Sequence, residues 1–184
     1  YGVPKVTFKS DGTVGIGTYA PDSLLHVQST GSAVIHLENT GNAQARIQLD
    51  GDRSGADNNI GYLEGWWNGT SVAEIRFKSG QDTTNKDEGW IDFLTAPPGG
   101  TPASRMVIRE DGDVGIGTAS PAQQLHIQDN SGGGVILLER QDSSTSGTMG
   151  EILFGSRDYD DSLASIKAVM AGSTTSGKLV FSTE

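Results

Sequence analysis

Two of the three histidines in this chain, His26 and His126, lie 100 residues apart in matching sequence. Three imidazoles suit zinc or iron, so three copies of either histidine around a threefold axis would offer a metal site. The alternative is a structural histidine, hydrogen-bonded at the edge of a core. The structural role is the simpler interpretation, so we predict no bound metal and keep His26 and His126 only as candidate axial ligands.

Acidic residues gather in three segments, 50–52, 57–59 and 158–161. Loop oxygens of this kind can bind Ca²⁺, but none of the segments has the spacing of an EF-hand or of a calcium-binding nonapeptide repeat. We interpret them as solvated acidic loops. A glycosidase carboxylate pair stays open as an alternative, because its spacing is set in three dimensions. The acids are not matched between the two halves of the chain, which argues against it.

Other catalytic patterns are missing from the sequence. There is no cysteine, so thiolate chemistry is excluded, and no Gly-x-Ser-x-Gly motif appears. The Gly-x-Gly at 15–17 lacks the third glycine and the following helix of a dinucleotide site, so we assign it to close backbone packing. We therefore predict no catalytic residue, no cofactor and no enzymatic activity.

All three tryptophans lie in the first half of the chain. Trp66 and Trp67 are adjacent, and on a strand they would point to opposite faces, so we expect one to pack inward. An exposed indole can stack on a sugar ring while Asn68 supplies hydrogen bonds. We accordingly place a candidate ligand or receptor contact at Trp66, Trp67, Asn68 and Trp90. The alternative is that these rings fill a core between subunits.

The composition limits the classes of partner. The 184 residues carry a net charge of −10, which repels nucleic acids and anionic membrane surfaces. No apolar run approaches the roughly 20 residues of a membrane-spanning helix, so we predict no membrane insertion. Hydrophobic residues make up only 34% of the chain and glycines number 26, so association between copies would supply burial that one copy lacks.

A duplicated motif organises the chain. Between residues 10–28 and 110–128, 11 of 19 positions are identical, so the chain is an array of one structural unit. Short apolar runs with alternating polarity predict strands at 5–9, 14–18, 24–28 and their counterparts 100 residues later. Further strands are predicted at 33–38, 46–49, 60–64, 90–93, 134–139, 151–154, 163–167 and 178–181. The fold class is therefore all-β.

The two repeats are predicted to span residues 1–100 and 101–184. The shift between aligned glycines falls from 103 to 88 across residues 69–89, so the first repeat carries 15 extra residues. We assign them to an extra strand and a polar loop near 72–88. The second repeat is truncated relative to the first. Because the chain starts with Tyr1 rather than methionine, we expect it to be a piece of a longer protein. Because the second repeat stops where the first goes on, we expect that protein to continue past residue 184.

Both motif copies resemble a repeat that is common in bacteriophage tail fibres. There, a strand ending in Asp-Gly or Ser-Gly leads into Val-Gly-Ile-Gly-Thr, then Ser-Pro or Ala-Pro, then Leu-His-Val. The matching residues here are 11–18, Ala20-Pro21 and Leu25-His26-Val27, and in the second copy 111–118, Ser120-Pro121 and Leu125-His126-Ile127. The resemblance implies an elongated, β-rich homotrimer, either a triple β-helix or small packed sheets. In such fibres the repeat often precedes a self-cleaving C-terminal chaperone domain, which has no counterpart in these 184 residues.

The resemblance favours one function over two alternatives. We expect a structural or receptor-binding segment of a phage tail fibre, part of the virion and acting outside the bacterial cell, with a surface glycan or protein as receptor. The first alternative is a bacterial surface adhesin or carbohydrate-binding array built from the same repeat. The second is a polysaccharide depolymerase.

Overall fold

The structure, a computed structural model, describes residues 5–139, 146–156, 160–173 and 176–183. These residues form β-strands and no helix, which confirms the all-β prediction. The described residues accordingly contain no helix that is long and apolar enough to span a membrane. The chain divides into two compact units, Tyr1–Leu49 and Asp50–Glu184. The strands are β1 (Val6–Phe8), β2 (Val14–Ile16), β3 (Leu25–Val27), β4 (Asn59–Trp67), β5 (Thr70–Ser79), β6 (Gly89–Thr95), β7 (Ala103–Ile108), β8 (Val114–Ile116), β9 (Leu125–Ile127), β10 (Ser146–Ser156), β11 (Asp160–Ser173) and β12 (Ser176–Thr183).

The first unit contains a three-stranded sheet in the order β1-β2-β3. β1 and β2 pair antiparallel through a tight turn, in which the Asp11 carboxylate accepts hydrogen bonds from the backbone N–H and hydroxyl of Thr13. β2 and β3 then pair parallel although only residues 17–24 join them. Parallel strands usually need a connection of about a dozen residues, so this loop must be closely folded.

The glycines and the histidine of the repeated motif fold that loop. Gly17 has a φ of 77°, and a Cβ at this position would overlap the carbonyl oxygen of Gln28, just beyond β3. On the other side of the loop, Nδ1 of His26 accepts a hydrogen bond from the backbone N–H of Asp22 at 3.4 Å. We expected the glycines to mark close approach to another chain or strand; for Gly17 the neighbour is a segment of the same chain.

The second copy of the motif repeats this arrangement. β7, β8 and β9 pair in the same order and register as β1, β2 and β3, displaced by 100 residues. Here the three strands extend a larger sheet, whose full order is β4-β5-β6-β7-β8-β9. Strands β4 to β6 belong to the first sequence repeat and β7 to β9 to the second. The boundary between repeats near residue 100 therefore runs through one continuous sheet.

The six-stranded sheet has two contrasting faces, because alternate residues of a strand project to opposite sides. One face, called here the apolar face, carries a row of aliphatic and aromatic side chains across all six strands. The strand registers align these residues in the order Leu63, Ile75, Phe93, Met106, Ile116 and Ile127. A second row on the same face runs through Phe77, Ile91, Ile108, Val114 and Leu125.

The opposite face, the polar face, is closed by its own side chains. Glu74 pairs with Arg76, and the buried carboxylate of Asp92 accepts a 2.6 Å hydrogen bond from the hydroxyl of Ser104. Val107 is fully buried on this side, where it would contact any Cβ added at Gly115. Partners within the chain therefore satisfy the buried carboxylates of this face.

A third sheet contains β10, β11 and β12 in that order, all antiparallel. No described strand of this sheet lies against the six-stranded sheet. Large side chains remain exposed on it, among them Leu153, Phe154 and Phe181. The described strands thus form three separate sheets.

Three of the predicted strands are wrong. Residues 33–38, 46–49 and 134–139 form no strand, although they are rich in aliphatic residues. Backbone ladders need a neighbouring strand to supply hydrogen bonds, and no described strand of this chain pairs with these segments. Their side chains lie in solvent, with Val34 72% and Val135 76% exposed.

Candidate functional site

The candidate residues Trp66, Trp67 and Asn68 lie together at the tip of the β4–β5 hairpin. Asn68 and Gly69 form the turn, with φ values of 49° and 81°. Positive φ at both central residues is the type I′ geometry that suits the twist of a two-residue hairpin. The turn places Trp67 opposite Thr70 and Trp66 opposite Ser71. Trp66 is 60% and Trp67 77% exposed, so both indoles are available for contact, although we expected one to pack inward.

Trp90 is in a different environment. Its side chain is 7% exposed, and its indole N–H donates to the Asp57 carboxylate and to the Ser79 carbonyl, both at 3.1 Å. The Lys78 ammonium lies 4.3 Å and the Arg109 guanidinium 4.4 Å from its ring centroid. Cations over an indole face are attracted by its quadrupole. The ring is thus occupied by neighbours within the chain, and only Trp66, Trp67 and Asn68 remain accessible candidates.

The two candidate axial histidines have matching structural contacts. Nδ1 of His26 accepts from the backbone N–H of Asp22, and Nδ1 of His126 accepts from that of Ala122 at 3.3 Å. The side-chain carboxylate of Asp22 also lies near His26, with its oxygen 3.0 Å from Nδ1. These contacts support the structural interpretation, in which the histidine closes the loop after the repeat's proline. In the described part of one chain, no three metal-ligating side chains come together.

Asp57 joins three elements of the second unit. Besides the Trp90 indole, its carboxylate accepts a 2.6 Å hydrogen bond from the Gln81 amide and lies 3.8 Å from the Arg109 guanidinium. Asp57 has a φ of 56°, a conformation that aspartate tolerates better than most residues. The sequence grouped Asp57 with solvated loop acids and did not reveal this role, because its partners come from residues 24 to 52 positions away.

The extra loop of the first repeat is folded around two carboxylates. Asp82 accepts from the backbone N–H groups of Thr84 and Asn85, and Glu88 accepts from those of Gln81 and Asp82. The backbone N–H of Asn85, followed by that of Thr84, lowers the pKa of the Asp82 carboxyl below its ordinary value. Hydrogen bonds to the charged form favour that form, so these contacts are strongest when the Asp82 carboxyl is ionised.

A cleft of about 390 Å³ lies between this loop and residues 50–60. Its walls include the acidic segment 50–52 noted in the sequence, the loop acids Asp82 and Glu88, and the basic residues Arg53 and Lys86. Sequence reasoning did not reveal the cleft, since the opposing wall is about 30 residues away along the chain. Of the third acidic segment, Asp158 and Tyr159 lie outside the described residues.

Comparison with known proteins finds similarity only at the level of structure. No protein-family model matches the sequence, and no curated protein matches it. The chain is similar to the carboxy-terminal domain of the bacteriophage T5 L-shaped tail fibre, with a TM-score of 0.40 and 17% identity over 83% of this chain and 82% of that one. It is also similar to that domain with its intramolecular chaperone domain, with a TM-score of 0.39 and 15% identity over 82% of this chain. The chain spans 56% of the latter structure, and likenesses this distant carry no argument about function.

Proposed function

We propose that this chain is a non-catalytic segment of a phage tail fibre that assembles as a homotrimer and carries receptor-binding surface toward a bacterial cell. In this proposal the protein is part of the virion and acts outside the host. The duplicated motif, with its resemblance to tail-fibre repeats, supports the assignment to a fibre. Assembly is supported by the distribution of apolar side chains.

The observation that carries the proposal is the small core of a single copy. Among the described residues, only Trp90, Leu94 and Val107 are large hydrophobic side chains that are buried, whereas 26 large hydrophobic side chains are exposed. The chain exposes 14066 Å², while a folded monomer of its mass is expected to expose about 8,500 Å². Obligate interfaces bury surface on the scale of that difference, so further copies of the chain would supply the missing cover.

The apolar face of the six-stranded sheet is the surface that we assign to this assembly. One of its rows is continuous across six strands and the other across five, and Leu63, Ile116 and Leu125 are between 40% and 54% exposed. An apolar patch of this extent is unusual on a monomer. The unpaired aliphatic segments at 33–38 and 134–139 would add contacts between copies, where strands from neighbouring copies can supply backbone partners.

Sedimentation at micromolar concentration tests the assembly. Three copies of a 19.3 kDa chain would sediment as one species of threefold mass. Leu63→Asp should dissociate it, because the carboxylate would be buried without a partner between copies. Tyr62→Asp is the matched control, since Tyr62 is similarly exposed on the same strand but points to the polar face, near Arg76. A wild-type monomer, or equal effects of both variants, would refute the assembly.

The hairpin tip is the surface that we assign to receptor contact. Trp66 and Trp67 present two large, exposed indoles on a rigid turn, and tryptophans of this kind dominate the binding energy of many interfaces. Asn68, the next residue in the sequence, adds a side-chain amide that can hydrogen-bond to a ligand. The second repeat has no tryptophan, so this surface is specific to the first repeat rather than part of the repeated framework.

Binding to immobilised lipopolysaccharides and capsular polysaccharides tests the contact. The double variant Trp66→Ala/Trp67→Ala should lose binding and keep the mass of the assembly. Phe8→Ala is the control, because Phe8 is an equally exposed aromatic residue in the first unit. Binding that survives the double variant would exclude the hairpin. The appearance of new reducing ends on these polysaccharides would overturn the non-catalytic assignment and favour a depolymerase.

A further inference from the structure

We infer that the cleft between residues 50–60 and the 80–88 loop is a second binding site, separate from the hairpin tip, that takes a neutral sugar residue of a surface polysaccharide. The inference rests on the proposed receptor-binding role, but it concerns different residues. Its cavity of about 390 Å³ is within the range of sites that hold small molecules. One water takes up about 30 Å³, so the cleft has room for a sugar ring together with solvent.

The 80–88 loop lies where the two repeats differ in the length of a strand connection. The 80–88 loop joins β5 to β6 over nine residues, whereas only residues 174–175 lie between β11 and β12 of the second repeat. β11 and β12 pair without a loop of this length, so the pairing of neighbouring strands does not require it. Its retention in the other repeat therefore points to a local role.

The walls of the cleft are fixed before any ligand arrives. Gly51 allows the backbone of one wall to approach the Ile60 carbonyl, where a Cβ would overlap the oxygen. The Ser79 hydroxyl, at the base of the loop, donates to the Gly55 carbonyl at 3.0 Å and accepts from the Asn58 N–H. Asp57 holds Gln81 at the start of the loop. Preorganised walls lower the ordering cost of binding.

The groups left available in the cleft are both donors and acceptors. Asp82 and Glu88 are already used by the backbone of the loop. Within the described residues, Asp52 accepts only the 3.5 Å bond from Lys86, and Asp50 accepts none. Lys86 is 3.5 Å from Asp52 in an exposed pair, which is worth little and is easily exchanged. A guanidinium of Arg53, oriented by its bond to the Asn59 carbonyl, supplies further donors.

This mixture selects among classes of ligand. An anion would meet more carboxylates than cations, and a bare metal ion would find no cluster of three acidic or histidine ligands among the described residues. An apolar ligand would leave the charged groups unsatisfied. Sugar hydroxyls both donate and accept, so they can pair with the Asp50 and Asp52 carboxylates while accepting from Lys86 and Arg53.

Saturation-transfer NMR on the assembled protein tests the inference, with glucose, galactose, mannose and N-acetylglucosamine as probes. At least one sugar should give a signal, and Asp52→Ala, at a fully exposed position, should weaken its binding about tenfold, as expected for losing one charge-assisted hydrogen bond. Asp87→Ala is the matched control, an exposed acid of the same loop that does not line the cleft. No signal from any sugar, or a signal that Asp52→Ala leaves unchanged, would overturn the inference.

The hairpin variant separates this test from that of the proposed function. A sugar signal that disappears in Trp66→Ala/Trp67→Ala but persists in Asp52→Ala would place sugar binding at the hairpin and refute the cleft. Loss of polysaccharide binding in the hairpin variant with the sugar signal retained in the cleft would support two sites. Sedimentation of each variant shows whether assembly has changed independently of both.

Discussion

Replacing Gly117 with alanine should remove the strand β9 from the six-stranded sheet. Gly117 has a φ of 75°, and its Cβ would overlap the carbonyl oxygen of Gln128. The left-handed conformation costs an alanine roughly 1–2 kcal/mol. Moving Gln128 away would also break its N–H bond to the Ile116 carbonyl and strain the Val114 N–H bond to Gln124, both 2.9 Å. At roughly 1 kcal/mol for each bond, the total loss is about 3–4 kcal/mol.

Gly112→Ala separates the two parts of that estimate. Gly112 has a φ of 90°, but an added Cβ would meet no atom within 4 Å. This variant should therefore lose only the conformational part, about 1–2 kcal/mol. Urea unfolding followed by fluorescence of the buried Trp90, which lies in the same sheet, measures both. Equal shifts of the urea midpoint in the two variants would refute the explanation that Gly117 is required by close contact.

Three further outcomes follow from the polar face and the extra loop. Val107→Ala should lower the free energy of unfolding by about 2 kcal/mol, since it removes two buried carbon groups and leaves a cavity, and Trp90 fluorescence in urea checks this. Ser104→Ala should cost about 1.5–3 kcal/mol because the buried Asp92 carboxylate loses a hydrogen bond, whereas Ser104→Thr should retain much of it. The lowered pKa of Asp82 means that its stabilisation of the loop is complete above about pH 4 and is lost as the pH falls through the lowered value. The Asn85 amide resonance should report that titration, and Asp82→Asn should abolish it.

Much of the fold follows from local sequence. The alternating runs predicted β1, β2 and β6, because strand periodicity acts over a few residues. The segment 33–38 has the same apolar character yet forms no strand. Its hydrogen-bond partners are not within the described chain, and sequence pattern does not reveal where a partner comes from.

The candidate site shows the same division. The exposed hairpin tryptophans were singled out by residue type, and their Asn-Gly turn is a local signal. The burial of Trp90 was not foreseen, because it depends on Lys78 in β5 and on Arg109, which directly follows β7. Contacts of this kind join residues that are distant in sequence, so they become visible only once the sheet register is known.

The position of the repeat boundary inside a sheet has a practical consequence for dissecting the protein. A truncation at residue 100 follows the sequence repeat, but it would separate β6 from β7. Both strands would become unpaired edge strands, which are prone to aggregation. A truncation between residues 49 and 50 separates the two compact units and leaves every described strand pairing intact. Because both motif copies share one strand register, removing a whole 100-residue period would connect one copy of the motif to the sequence that normally follows the other copy. The chain can thus be lengthened or shortened by one repeat while the local sequence at the junction stays the same.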